Sequence, residues 1–268
     1  MTPSTAAGPP DDPAPWRTPA DRFDLTGKVI LVTGGSRGLG RSMVGAFAAA
    51  GADVVVTSRK LEACQAVAHQ VTAATGRRAL ALACNVGRWE ELDGLVDGAY
   101  GAFGRVDVLV NNAGMSLLYG RATDVTEAMW DRVVDLNLKG VFRLTALVGA
   151  RMVEAGGGSI VNVSSVGSIR PNPAILPYGA AKAGMNSLTV GFAHTYGPTV
   201  RVNCIMAGPF LTDVAKAWDM EAVNVGARRH ALERVGEPDE VVGAALYFAS
   251  DASSFTTGAV LRVDGGIP

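Results

Sequence analysis

Val29-Ile30-Leu31-Val32-Thr33-Gly34-Gly35-Ser36-Arg37-Gly38-Leu39-Gly40 decides how the rest of the chain is read. The first four residues form an unbroken apolar run, the mark of a strand buried on both faces. Three spaced glycines, Gly34, Gly38 and Gly40, follow it directly and open a helix-length segment. Glycine there permits a tight turn, lets the backbone approach a pyrophosphate and lets the helix pack closely on the strand. The helix N-terminus then offers its free N–H groups to an anion. A glycine triple in isolation says little; its place between the first strand and the first helix points to a dinucleotide site.

Outward from this turn, the strand-then-helix rhythm continues. Apolar runs lie at Val54 to Val56, Ala79 to Ala83, Val106 to Val110, Ile160 to Val163, Val200 to Ile205 and Ala259 to Val263. Helix-length segments lie near 38–51, 60–75, 89–103, 126–155, 178–197 and 238–250. This alternation predicts an α/β fold: one doubly wound, seven-stranded parallel sheet with helices on both faces. The domain spans 21–268. Residues 1–20 hold Pro3, Pro9, Pro10, Pro13, Pro15 and Pro19 and read as a disordered tail, with Trp16 and Phe23 able to dock on the body. The stretch from 210 to 236 breaks the rhythm and is expected to form a lid or substrate wall.

Composition narrows the function. The chain has 268 residues and a formal net charge of −1, so no electrostatic case exists for nucleic acid or an anionic membrane. No apolar run reaches the roughly 18 residues of a membrane span. The N-terminus lacks the pattern of a secretory signal. Cys64, Cys84 and Cys204 are widely separated, with neither metal-ligand spacing nor a disulfide framework, which predicts a cytoplasmic protein without a metal. His69, His194 and His230 show no ligand spacing either.

The second strand ends in Thr57-Ser58-Arg59-Lys60, where a dinucleotide fold that binds NAD(H) would place a carboxylate for the ribose hydroxyls. Ser58, Arg59 and Arg37 of the glycine turn suit a 2′-phosphate instead. The reading therefore favours NADP(H), with NAD(H) as the alternative. Further along, Ser159 to Ser164 delivers Ser165, and Tyr178 and Lys182 follow four residues apart. That spacing sets phenol and ammonium on one helix face.

Thr33-Gly34-x-x-x-Gly38-x-Gly40, Asn111-Asn112-Ala113-Gly114, Asn137, Ser165 and Tyr178-x-x-x-Lys182 occur in that order. Together they resemble the short-chain dehydrogenase/reductase family in its compact single-domain form, from about Leu25 to Gly266. The resemblance implies a Rossmann-type fold, a catalytic group of Asn137, Ser165, Tyr178 and Lys182, and a homotetramer or homodimer. Cofactor contacts carried over from it fall on Gly34, Ser36, Arg37, Gly38, Leu39, Gly40, Ser58, Arg59, Asn85, Val86, Asn112, Ala113, Gly114, Tyr178, Lys182, Gly208, Phe210 and Thr212. Two positions depart from the family pattern: Asn85 stands where Asp is more frequent, and Ala207 replaces a proline. In the family the tyrosine exchanges a proton with the substrate oxygen, and the lysine tunes it and clamps the ribose. A lysine ammonium at ~4 Å in an effective dielectric of ~20 contributes about 4 kcal/mol, enough to lower a phenol near 10 by about two units.

The expected reaction is hydride transfer between NADP(H) and a carbonyl or secondary alcohol. Substrate contacts are expected at Met115, Ser165, Ile175, Tyr178 and Phe210, within walls at Met115 to Tyr119, Ser168 to Leu176 and Phe210 to Val235 that also include Trp218. Their apolar character suits a 3-oxoacyl, cyclic-ketone, polyol-derived or steroid-like small molecule. An NAD-linked secondary alcohol dehydrogenase is the alternative within the enzyme class. A catalytically silent dinucleotide-binding protein is the alternative from another class; the presence of both Tyr178 and Lys182 speaks against it.

Overall fold

The computed structural model describes residues 18–213 and 220–268. Trp16, Trp218 and the tail up to residue 17 lie outside the described residues. The first described element is helix α1 (Pro19–Phe23), which begins in the last two residues of the stretch read as tail. Proline is tolerated at the first turn of a helix, and Thr18 with Asp21 closes a capping box there. The alternating body follows: β1 (Val29–Thr33), α2 (Gly38–Ala49), β2 (Asp53–Ser58), α3 (Leu61–Thr75), β3 (Ala79–Ala83), α4 (Leu92–Phe103) and β4 (Val108–Asn111). The second half holds α5 (Glu127–Val134), α6 (Gly140–Glu154), β5 (Gly158–Ser165), α7 (Leu176–Tyr196), β6 (Val200–Ala207), α8 (Met220–Ala227), α9 (Val242–Ala249) and β7 (Val260–Val263).

All seven strands are parallel, in the order β3-β2-β1-β4-β5-β6-β7. The order reverses between β1 and β4, and ligands of such sheets bind outside the strand C-termini at that switch. The strands are apolar throughout because both faces are covered. Ile30, Val32, Val54, Val56, Val108 and Val110 pack with Met43, Phe47 and Val67 of α2 and α3 and with Phe248 of α9. The alternate residues Leu31, Val55, Leu109 and Ile160 pack with Leu95 of α4, Leu144 and Val148 of α6 and Phe192 of α7. Successive strand side chains thus build two separate cores.

One expected element differs. The segment read as a single helix over 126–155 is interrupted by a π-helical turn at Asp135–Lys139, between α5 and α6. Such a turn widens the helix by one residue and is frequent at functional sites. Asn137 sits in it.

Candidate active site

The glycine turn forms the floor of the site. Gly34 and Gly38 hold φ of +65° and +51°, which L side chains rarely adopt. At Gly40 the constraint is contact: a Cβ there would lie 2.2 Å from the Gly34 carbonyl oxygen and 2.5 Å from Asn112 Nδ2. Arg37, which precedes α2, makes no side-chain cap, so the first N–H groups of that helix stay open to an anion. This backbone cradle, with a glycine at each close approach, fits a dinucleotide pyrophosphate.

Asn112 ties β4 to the glycine turn. Its Nδ2 donates to the Thr33 and Gly34 carbonyls at 2.9 and 3.3 Å. The N–H groups of Asn112 and Ala113 both donate to Thr33 Oγ1, at 2.9 and 3.0 Å. The side chain thus braces the glycine turn from β4. Below it, Asn111 donates to Asn162 of β5, and Asn162 to Thr189 of α7, a buried chain that ties β4 to the catalytic helix.

At the end of β2, Ser36 donates to Ser58 Oγ at 3.0 Å, joining the glycine turn to the second strand. Arg37 and Arg59 flank this pair, and both are exposed. Among the described residues neither forms an ion pair. Leu39, in the first turn of α2, packs against the core. After β3, Asn85 Oδ1 accepts the Gly87 N–H at 3.2 Å, while Val86 is buried so tightly that its carbonyl oxygen lies 2.0 Å from where a Cβ on Gly140 would stand.

The four predicted catalytic side chains gather at the C-terminal ends of β4 and β5. Strand alternation separates the two serines. Ser164 is buried, and its hydroxyl donates to the Lys182 carbonyl at 3.2 Å. Ser165 faces the site, where its Oγ accepts the Gly167 N–H at 3.1 Å. A Cβ on Gly167 would lie 3.5 Å from Ser165 Oγ, 3.6 Å from Ile175 Cδ1 and 3.9 Å from Cε1 of Tyr178, so these three side chains surround one point. Asn137 is fully buried in its π-turn. It donates to the Met115 and Val133 carbonyls at 2.8 and 2.9 Å and accepts the Met115 N–H at 3.3 Å. Gly114 leaves the gap between it and the lysine: a Cβ there would lie 2.8 Å from Asn137 Oδ1 and 3.5 Å from Lys182 Nζ.

Lys182 departs from the simple electrostatic expectation. Its ammonium donates to the Val163 carbonyl at 2.8 Å and lies 5.7 Å from the centre of the Tyr178 ring. Burial lowers its pKa from 10.5 to about 8. Burial also raises the Tyr178 phenol, and only a hydrogen bond to Ser165 works in the opposite direction. The protein by itself therefore keeps Tyr178 protonated; the predicted depression by Lys182 is not built into it. The reason is that both groups share one desolvated site, where burial penalises each charged form.

The loop after β6 turns the Phe210 ring inward. The Phe210 ring, expected at the substrate, is buried in the core and packs on Gly236, where a Cβ would come within 2.8 Å of it. Residues 209–211 pair with Gly236 through Leu211 N to Gly236 O at 2.8 Å and Gly236 N to Pro209 O at 3.1 Å. That pairing fixes which way the ring turns. Gly208 abuts Asp264, and Thr212 lies 3.3 Å from where a Cβ on Gly38 would stand, opposite the start of α2. Tyr119, read from the sequence only as the end of a substrate wall, accepts the Leu176 N–H through its hydroxyl at 2.7 Å, and Asn186, not singled out before, donates to Ser168 at 2.9 Å. Both contacts join distant segments and leave no local pattern.

The model of the family described as Enoyl-(Acyl carrier protein) reductase matches residues 34–268. The chain belongs to the short-chain dehydrogenase/reductase family. Among its short-chain dehydrogenase/reductase relatives, the 3-oxoacyl-(acyl-carrier-protein) reductase FabG of Chlamydia trachomatis is 36% identical over 246 residues, 91% of this chain and 98% of its own. A gluconate 5-dehydrogenase from Burkholderia cenocepacia, solved with NADP and tartrate, is 32% identical with a TM-score of 0.88, covering 92% of this chain and 98% of that one. A 7α-hydroxysteroid dehydrogenase, solved with NADH and 7-oxo glycochenodeoxycholic acid, is 32% identical with a TM-score of 0.88, over 93% and 98% of the two chains. Membership makes this chain an oxidoreductase that uses a nicotinamide dinucleotide and acts on carbonyl or alcohol groups of small molecules. Among the described residues, no helix is long and apolar enough to cross a membrane.

Proposed function

We propose that the protein is an NADP(H)-dependent reductase of apolar ketones, running in reverse as a secondary-alcohol dehydrogenase. The observation that carries this reading is the convergence of Ser165, Ile175 and Tyr178 around Gly167, with Lys182 buried behind them. A bound nicotinamide dinucleotide would supply or accept the hydride. Ser165 accepts from Gly167 N–H, and its own proton, shared with the Tyr178 oxygen when no substrate is bound, can turn to a carbonyl oxygen. Tyr178, kept neutral by burial, gives its proton to that oxygen as charge develops. Lys182 spends one N–H on Val163 and has others for the ribose hydroxyls, and it opens toward Gly114 and Asn137, a path for returning the proton.

NADP(H) is preferred because Arg37 and Arg59 stand exposed beside the Ser36–Ser58 pair, and Thr57 to Lys60 at the end of β2 hold no carboxylate to repel a 2′-phosphate. Gly34, Gly38, Gly40 and Gly114 line the diphosphate and ribose, Asn85 and Val86 the adenine, and Gly208, Thr212 and the backbone of Phe210 the carboxamide. The segments expected to wall the site carry Met115, Leu117, Ile169, Ile175 and Leu176, an apolar set that suits a 3-oxoacyl, cyclic-ketone or steroid-like substrate more than a highly hydroxylated one. The proposal extends to a cytoplasmic homotetramer or homodimer. Phe142 of α6 and Val190 of α7, both exposed, offer an apolar surface for a second copy.

A panel of ketones offered with NADPH or NADH, followed by loss of the reduced nicotinamide's absorbance, tests the reading. Turnover with NADPH over NADH supports it. NADPH binding with no turnover of any carbonyl would favour a silent binding protein instead.

A further inference from the structure

Tyr119 lies in the loop after β4 and has no part in the chemistry above. Its hydroxyl accepts the backbone N–H of Leu176 at 2.7 Å, across 57 residues. Leu176 is the first residue of α7, two before Tyr178, and the preceding Ile175 offers no side-chain cap. The phenol is thus a cap supplied from a remote loop, satisfying one of the orphan N–H groups at the start of the catalytic helix. The same loop is already fixed at Met115, where Asn137 holds both the N–H and the carbonyl. From that anchor the chain runs through Leu117 and Leu118 to Tyr119 and crosses to α7. Ile175, next to the crossing point, is one of the three side chains around Gly167.

We propose that Tyr119 is a specificity-determining positioning residue, its phenol latching the loop after β4 to the start of α7 and so limiting the size of the carbonyl substrate that reaches Tyr178. The inference rests on the ketone-reductase reading. A substrate that fits beneath the bridge leaves the hydrogen bond intact. A bulkier one must break it, losing one net hydrogen bond, a factor of about five in binding. Leu176 is 44% exposed, so water replaces the phenol when the bridge opens and the protein stays folded.

The test is Tyr119→Phe, which keeps the ring and removes the acceptor. Two measurements are made on the full chain: kcat/KM for a small methyl ketone and for a multi-ring ketone with NADPH, and amide hydrogen exchange at Leu176 in the NADPH-saturated protein. The expected result is a shift of the bulky-to-small kcat/KM ratio by about fivefold toward the bulky ketone, with Leu176 exchange accelerated by a similar factor. An unchanged ratio in an active wild type overturns the inference, as does unchanged exchange at Leu176. A wild type that reduces no ketone overturns the parent reading and takes the size gate with it, a failure distinct from an active enzyme whose ratio does not move.

Discussion

Lys182→Met is expected to abolish turnover yet make the cofactor-free protein more stable at pH 7. Lys182 is 2% exposed, and its ammonium has a single oxygen acceptor, the Val163 carbonyl at 2.8 Å. Burial holds its pKa near 8 instead of 10.5. At about 1.4 kcal/mol per pH unit, that drop means folding disfavours the charged lysine by roughly 3 kcal/mol. Methionine fills a similar volume without a charge but leaves the Val163 carbonyl unpaired, at about 1 kcal/mol. The balance is roughly 2 kcal/mol in favour of the variant, or about 4 °C in Tm for a chain of this size. The pH dependence has a definite sign. Between the folded value near 8 and the unfolded value of 10.5, the unfolded chain holds the extra proton. The wild type therefore carries the full penalty below pH 8 and recovers stability as pH rises toward 10.5. Thermal melts of both cofactor-free proteins at about pH 7 and about pH 9.5 should show the variant's advantage shrinking with pH. A variant less stable than wild type at pH 7, or an advantage that grows with pH, would refute the reasoning.

Two further outcomes follow from the cofactor cradle. Arg59→Asp should raise the NADPH Kd by about 10- to 100-fold, the worth of a charge-assisted hydrogen bond, and leave NADH binding nearly unchanged; intact NADPH affinity in a fluorescence titration would remove the basis for the NADP(H) preference. Gly40→Ala puts a methyl group 2.2 Å from the Gly34 carbonyl and should weaken binding of either dinucleotide by at least about tenfold. Gly45→Ala, with open space around it in the same helix, should keep binding and add about 0.5–1 kcal/mol of stability, so equal effects of the two changes would contradict the cradle.

The sheet was readable because parallel strands buried on both faces must be apolar throughout, and Val29 to Val32 and Val54 to Val56 could hardly be anything else. The catalytic spacing was readable because Tyr178 and Lys182 lie on one helix, where four residues make a turn. What escaped depends on contacts that sequence spacing does not encode. Asn137 was visible through the family pattern, but the π-turn that aims it at Met115 leaves no change in the hydropathy pattern. Phe210 was placed at the substrate from its neighbours in sequence; its ring direction is set instead by pairing with Gly236, 26 residues away. Asn112 entered as a cofactor contact through the family resemblance, while the Thr33 and Gly34 carbonyls its side chain serves were not visible in the sequence. The burial that raises the Tyr178 phenol was also out of view: four residues of helix set two groups on one face, but only the folded environment shows how far each is desolvated.

The central claim is that Tyr178 gives the proton that accompanies hydride transfer. Its most direct test is single-turnover reduction of an accepted ketone by Tyr178→Phe saturated with NADPH. The account predicts a loss of about 10²- to 10⁴-fold in the hydride-transfer rate, with the NADPH Kd within about twofold of wild type. A Tyr178→Phe enzyme that transfers hydride at the wild-type rate would contradict it.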